Sequence, residues 1–496
     1  MRKTRMFFFL VGSASLVAIA PQCGGGGSTD CTQTSTCPSD ASDGPPPLNC
    51  NMSVDPKNSL GCVDDRVGIF VSPTGSDTNA GTKEAPVKTI TKGLSIVGAL
   101  TRVYVCAGTY AENISLAPPA DGISIYGGFA CADWSYSGTQ PTVGNGTIAL
   151  TISGTTKPIA IEDLILQSAA GAPSSIAALV ANATGAVTFT RVNFTASAGA
   201  AGTNGITGTN YDTTLLSNDP KIEGNSATGG GTGNGAAQVC AGLCTDNVTS
   251  TGGAGGQGGT STQGGASGSP SLGGLPPNDG AGGNGGSVAC TPGDQGANET
   301  TVGASATSPT ALGSLTATGW STTAPIGGTN GGPGQGGGGG GGHGFTNNTA
   351  GGGGGGGCGG CGGAGGAGGQ GGGASIALAV FSSTVSVNSS VLIAGNAGNG
   401  GKGATGQTGQ TGGLNGNGST PGCAGGGGGT GGTGGTSAGG VGGISVGVLY
   451  KGNAPTLDSA SMTATTFGTA GTKGTGGTAG TNDGIDGVAM ATMQSP

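Results

Sequence analysis

The residues closest in spacing to a known chemistry are two cysteine pairs, Cys240-x-x-x-Cys244 and Cys358-Gly359-Gly360-Cys361. Four thiolates so placed suit a tetrahedral zinc ion, and a CxxC pair alone suits thiol–disulfide exchange. A zinc ribbon needs a compact frame, however, and the polyglycine around these cysteines supplies none. Acid–base work would fall to Glu162-Asp163 and Arg191, the pieces present of a site with clustered acidic groups that could hold Ca²⁺ and a basic side chain to take a proton. Adjacent residues of a strand point to opposite faces, so Glu162 and Asp163 share a site only in a turn; otherwise they read as solvated outward charges. Tyr126, Trp134 and Tyr136, with Phe129 among them, could stack on sugar rings or simply pack the first turns of a fold. The expectation is no catalytic residue, no metal and no cofactor.

Those side chains must be carried by something, and the composition narrows what. Of 496 residues, 120 are Gly and 24 Pro, and only 8% are charged, about a third of the usual share. High-charge disorder and coiled coils are both excluded. Arg2, Lys3 and Arg5 precede an apolar run from Met6 to Ala20, the pattern of a secretory leader and shorter than the ~20 residues of a spanning helix. Cleavage after Ala20 competes with cleavage before Cys23, which would then be acylated as in bacterial lipoproteins. Setting Cys23 aside leaves an even number of the 13 cysteines, as full disulfide pairing requires. Export makes disulfides the first reading for Cys240, Cys244, Cys358 and Cys361. The net charge of −8, more negative once the basic leader is gone, argues against nucleic acid as a partner.

Residues 23–64 are Pro-, Ser- and Cys-rich and read as a tether. From Val67 onward short β-rich runs alternate with turn residues, as in Val103-x-Val105 and Ile123-x-Ile125, which puts one face in and one face out. Ile90, Leu94 and Val97 instead fall on one helical face after Pro86, as a short helix closing the open end of a solenoid would. Three stretches repeat one pattern: Ser175-Ile176 to Ala198-Gly199, Ser375-Ile376 to Ala397-Gly398, and Ile444-Ser445 to Ala470-Gly471. Each is about one solenoid turn, unable to bury its apolar side without a stacked neighbour.

Ile69-Phe70-Val71-Ser72-Pro73-Thr74-Gly75, Ala85-Pro86, Lys88-Thr89-Ile90, Val103-Tyr104-Val105 and Gly108-Thr109-Tyr110 together resemble the opening of right-handed parallel β-helix proteins, similar in fold to pectate lyases. The resemblance implies an all-β solenoid and little about activity, because this fold carries enzymes, adhesins and scaffolds alike. Pectin hydrolases of this kind have a Gly-His-Gly motif, and Gly342-His343-Gly344 matches it. Their Asn-Thr-Asp, paired-Asp and Arg-x-Lys motifs are missing here in the required order, so the match reads as chance in a Gly-rich tract. A glycosidase also needs two positioned carboxylates. Cys106 and Cys131, 25 residues apart, stand about one turn from each other. Neighbouring coils ~4.8 Å apart lie within the ~4.4–6.8 Å Cα range of a disulfide, so these two are expected to pair.

The expected organisation is a leader over 1–22, the tether over 23–64 and a parallel β-helix over 65–198. A Gly-rich insertion over 199–373, a coil over 374–394, a second insertion over 395–441 and final coils with a tail over 442–496 complete it. Two readings of the insertions stand: disordered loops, or polyglycine-II-like helices of three residues per turn, whose composition resembles mycobacterial glycine-rich repeat proteins and glycine-rich antifreeze proteins. The function expected is an exported, outer-membrane or cell-surface protein, lipid-anchored through Cys23, with a structural, adhesive or matrix role. Its expected partners are extracellular polysaccharide or other surface components. A polysaccharide-active enzyme with a degenerate site is the alternative, and glycan or ice binding by flat Gly/Thr-rich faces a second.

Overall fold

Short β-branched runs separated by turn residues form parallel strands in three stacked sheets. The computed structural model describes residues 49–171, 173–228, 240, 242–248, 250–260, 262–269, 280–346 and 349–496. The leader over 1–22, the lipidation candidate Cys23 and the tether up to residue 48 lie outside the described residues. One sheet of seven strands runs from Gly68–Val71 through Arg102–Cys106, Ser124–Phe129, Ile159–Glu162, Val187–Thr190 and Val385–Asn388 to Thr456–Leu457. A six-stranded sheet runs from Ile114–Leu116 through Ile148–Ser153, Ser175–Ala181, Ser375–Phe381 and Ser445–Lys451 to Ala489–Gln494. The other six-stranded sheet runs from Thr109–Tyr110 to Thr465–Thr466 by way of Asn193–Ala196 and Val391–Ala394.

The three sequence repeats stack as consecutive coils. Ile176 stands opposite Ile376, and Ile376 opposite Val446, all in parallel register. Alternate residues Ala178, Val180, Leu378, Val380 and Val448 enter the interior, where Phe189 meets Phe194 edge-on at 5.0 Å. Their neighbours Ile176, Leu179, Ile376 and Leu449 point the other way and are buried too, under Leu315 and Trp320. Those two belong to an antiparallel hairpin, Gly313–Thr316 with Gly319–Thr322, inside the first insertion. Strand Ser175–Ala181 is therefore buried on both faces, where alternation alone predicts one buried face.

Turns between sheets recur in register. Gly154, Asn182, Ser382 and Gly452 follow the paired residues Ser153, Ala181, Phe381 and Lys451 and all have positive φ (63°, 52°, 46° and 99°). Small or amide side chains at these corners fit the left-handed backbone. At the next corner Asp163, Arg191 and Ser389 repeat the arrangement with φ of 54°, 54° and 48°. The third corner is marked by fully buried Ser175, Ser375 and Ser445, whose hydroxyls bond the turn: Ser375 Oγ donates to Ser197 O and Ser445 Oγ to Gly395 O. Both Gly-rich excursions leave the solenoid at this third corner and return to it.

Within the excursions the backbone pairs with a period of three. The N–H groups of Gly357, Gly360, Gly363, Gly366 and Gly369 donate to the carbonyls of Gly426, Gly429, Gly432, Gly435 and Ala438. Another third of the same segment turns elsewhere, Cys358 N–H to Ile222 O and Gln370 N–H to Thr203 O. Neighbours approach so closely that a Cβ on Gly431 would strike the Cys361 carbonyl.

A helix does form at Ile90–Ile96, with Thr89 as N-cap and the Glu112 carboxylate accepting from Ile90 N (2.7 Å) and Thr91 N (2.9 Å). Ile90, Leu94 and Val97 join the interior beside the first coils. The stretch 49–64, expected as tether, is instead folded. A disulfide joins Cys50 to Cys62, Arg102 donates to Met52 O (2.7 Å), and the Tyr104 hydroxyl donates to Cys62 O. The physical reason is an aromatic outer face, Phe70, Tyr104 and Tyr126, which needs a cover and receives Val63.

Candidate functional site

Strand Ile159–Glu162 ends at the corner where Asp163 adopts positive φ. That twist is what strand alternation cannot foresee, and it turns both acids toward one cation. Arg191 stands at the matching corner one coil on. Its Nε donates to Asp163 Oδ1 (2.8 Å), and its Nη2 reaches Asp163 (2.7 Å), Glu162 (3.1 Å) and Asp55 (2.7 Å). The expectation of solvated outward charges is thereby corrected: the Asp163 side chain is 6% exposed and that of Glu162 12%. Around them, the Tyr136 hydroxyl donates to Asp163 (3.1 Å), Gln140 donates to the Arg191 carbonyl, and Asn193 donates to Gln140 (2.9 Å). Lys57 lies 3.8 Å from Asp55.

Burial, then the nearby Asp55 charge, pushes the Glu162 carboxyl up to about 7, against the pull of Arg191. Burial alone would lower the Arg191 pKa, but hydrogen bonds and charge from Asp163 and Asp55 outweigh it and raise it. An acid titrating near neutrality beside an arginine is part of what proton transfer needs. Here, though, the guanidinium is engaged by three carboxylates, and one of them, Asp55, comes from the segment folded over the flank. The arrangement clamps chain segments together. Sequence reasoning named Glu162, Asp163 and Arg191 but missed Asp55, whose sole local signal is Asp-Pro ahead of a short turn that its side chain caps at Lys57 N.

The aromatic candidates for sugar stacking are mostly covered. Trp134 is 5% and Tyr126 8% exposed. Phe70 packs edge-on to Trp134 at 4.7 Å, and the Arg102 guanidinium lies 5.1 Å over the Tyr126 ring. Trp134 Nε1 donates to Lys83 O (3.2 Å). Stacking by Tyr126 and Trp134 is thus corrected to packing of the first coils. Tyr136 is half-buried, with its hydroxyl on Asp163 and its ring edge-on to Phe129 at 6.1 Å.

His343 is buried, its ring nitrogens facing the carbonyls of Gly344 (2.7 Å) and Val288 (3.1 Å). The cysteine motifs pair with each other and not within themselves: Cys240 with Cys358 and Cys244 with Cys361, Cα atoms 5.9 and 5.6 Å apart. Cys106 is joined to Cys131 with Cα atoms 5.0 Å apart, and Cys290 to Cys423 at 5.9 Å. Cys290–Cys423 was not singled out in the sequence, since neither cysteine has a close partner in spacing.

A family described as Protein of unknown function (DUF1565), of parallel-β-helix type, matches residues 73–239. No curated protein and no solved structure matches the chain. The match spans the early coils and the start of the first Gly-rich excursion, about a third of the chain.

Proposed function

We propose that this is an exported surface protein, held to the outer membrane by lipid on Cys23, with a structural or matrix-contacting role and no catalysis. The observation that carries the reading is the use made of its reactive side chains. Arg191, Glu162, Asp163 and Asp55 bind one another, and ten cysteines form five disulfides among the described residues. Disulfides on this scale suit an oxidising compartment. In this reading the solenoid is right-handed and its first coil is closed by helix Ile90–Ile96. The Gly-rich excursions are packed polyglycine-II-like helices, as their three-residue hydrogen-bond period supports, and polysaccharide outside the cell is the partner class.

The test is to incubate the full, disulfide-intact chain with a polysaccharide panel, following retention and the appearance of new chain ends together. Retention without cleavage is expected. Cleavage that Glu162→Gln abolishes would turn the reading into the enzymatic alternative, which the near-neutral Glu162 beside Arg191 favours. In fractionated cells, Cys23→Ala is expected to move the protein from membrane to medium.

A further inference from the structure

One lane of the Gly-rich packing is interrupted. Gly199, Gly202 and Gly205 donate in turn to the carbonyls of Asn396, Asn399 and Lys402, and the series resumes with Gly224 to Leu414 and Ala227 to Asn417. Between them the chain swings outward and side chains replace the missing backbone. Thr207 Oγ1 donates to Thr405 O (2.8 Å) and the Tyr211 hydroxyl to Thr408 O (2.9 Å). On the other side Gln407 Oε1 accepts from Ala364 N (3.1 Å) and Gln410 Oε1 from Cys361 N (3.2 Å).

The gap leaves a groove of about 300 Å³ between the loop at Tyr211 to Ser217 and the edge at Thr408 to Thr411. That volume sits at the small end of ligand sites. Gln410 is its one buried lining residue, 4% exposed, and so forms the floor. Its carbonyl oxygen is fixed on the Cys361 N–H, because the flipped amide would set donor against donor. The Nε2 donor is left buried with no hydrogen-bond partner, an unfavourable state for an amide N–H. Above it stand the exposed Thr213, Thr408 and Thr411, the Tyr211 ring and the exposed Leu216. No charged side chain lines the groove. The wall is held in shape by Asp212, which accepts from Thr214 N (2.9 Å), and the floor by the Cys244–Cys361 disulfide.

We infer that this groove binds one or two units of a neutral carbohydrate, with Gln410 Nε2 donating to a sugar hydroxyl. Threonine hydroxyls both donate and accept, as sugar hydroxyls do, and the Tyr211 and Leu216 side chains offer apolar surface to the C–H face of a ring. The inference rests on the matrix-contacting role proposed above and gives it a location.

Isothermal titration of the disulfide-intact chain with neutral tetrasaccharides of glucose, xylose and N-acetylglucosamine tests it, with tetragalacturonate as the charged control. Binding of at least one neutral probe is expected, weakened about tenfold or more both by Thr411→Trp, which fills the groove from an exposed position, and by Gln410→Glu, which keeps the acceptor for Cys361 and removes the donor. Unchanged thermal unfolding of Thr411→Trp shows that the loss is local. Equal binding by wild type and Thr411→Trp would overturn the groove while leaving the surface role standing. Preference for tetragalacturonate, or capture of an extended Gly-rich peptide in place of sugar, also overturns it. Failure of every saccharide to bind the wild-type chain removes both the groove and the polysaccharide partner.

Discussion

The solenoid and the Gly-rich excursions solve the same problem by opposite means. In the coils, apolar side chains at Ile161, Phe189, Val387 and Leu392 leave water together, and burying each is worth ~1.5–3 kcal/mol. In the excursions there are almost no side chains to bury, and the backbone does the holding. A backbone hydrogen bond contributes a net ~0.5–1.5 kcal/mol, whereas ordering one residue costs ~1–2 kcal/mol in backbone entropy, and glycine has the most freedom to lose. Hydrogen bonds alone therefore leave such packing marginal. What tips the balance is external: the Trp320 hairpin laid on the solenoid and three disulfides, Cys240–Cys358, Cys244–Cys361 and Cys290–Cys423. Three of the five disulfides among the described residues lie in the excursions, where a side-chain core is missing.

Reduction should separate the two regions most sharply. The three cross-links close separations of 118, 117 and 133 residues, and a loop of about 100 residues is worth ~4.7 kcal/mol on a chain-entropy argument. After full reduction, amides over 353–372 should lose protection from hydrogen exchange while those over 187–194 keep theirs. If both regions keep protection, the excursions stand without their cross-links and the contrast collapses.

Phe189→Ala attacks the other side of the comparison. The ring is fully buried against Phe194, so the cost should be ~3–5 kcal/mol, read as a lowered denaturation midpoint. Nearest-neighbour stacking predicts that coils at 159–167 and 385–394 loosen with it. A loss below ~1 kcal/mol would mean that the interior is not what holds the coils.

Within one triplet of the excursion, Gly431→Ala and Thr430→Ala make a finer contrast. A Cβ at Gly431 has the Cys361 carbonyl in its way, and overpacking of this kind costs ~1–3 kcal/mol. Thr430 is half-exposed and its loss should stay within ~0.5 kcal/mol. Equal effects on the midpoint would show that glycine is not needed for close approach there.

How far the sequence can be read follows the same division. Repeats with side chains announce themselves: Ser175-Ile176 and Ser375-Ile376 mark successive coils across a long excursion, because the buried Ser and Ile recur at the same corner. Glycine carries no such mark, so Gly360 gives no hint that its partner is Gly429. The charged cluster was hidden for a different reason. Asp163 and Arg191 sit at positive φ, where the two-residue alternation of a strand fails, and Asp55 lies in sequence that reads as tether. The clue available was positional, since Asp163, Arg191 and Ser389 each follow a strand at the same place in the coil. Cys106 and Cys131 were legible because their spacing measures one coil, whereas Cys290 and Cys423 are brought together by glycine packing that leaves no trace in spacing.

The smallest expected effect concerns the seam between the folded segment 49–64 and the coils. Glu162 titrates near 7 in the folded chain against an ordinary value of 4.5, so between those pH values the folded state binds more protons than the unfolded one. The Glu162 contribution to stability therefore falls as pH rises from about 4.5 to about 7, the reverse of carboxylates held low by their hydrogen bonds, such as Asp64 and Asp77. The groups facing Glu162 are Arg191, Asp55, Asp163 and, through charge, Tyr126, with Lys57 and Tyr136 beyond them. Arg191 keeps its charge across this window, so the change comes from removing the proton from Glu162 close to Asp55. Glu162→Gln keeps the shape, removes the titration and should flatten the pH profile, with a gain of order 1 kcal/mol at pH 8 and none at pH 4. Unfolding midpoints of wild type and variant at both pH values provide the measurement. A wild-type profile that rises between pH 5 and 7, or a variant weaker than wild type at pH 8, would show that the ionised Glu162 supports the clamp and that Arg191 outweighs burial at this seam.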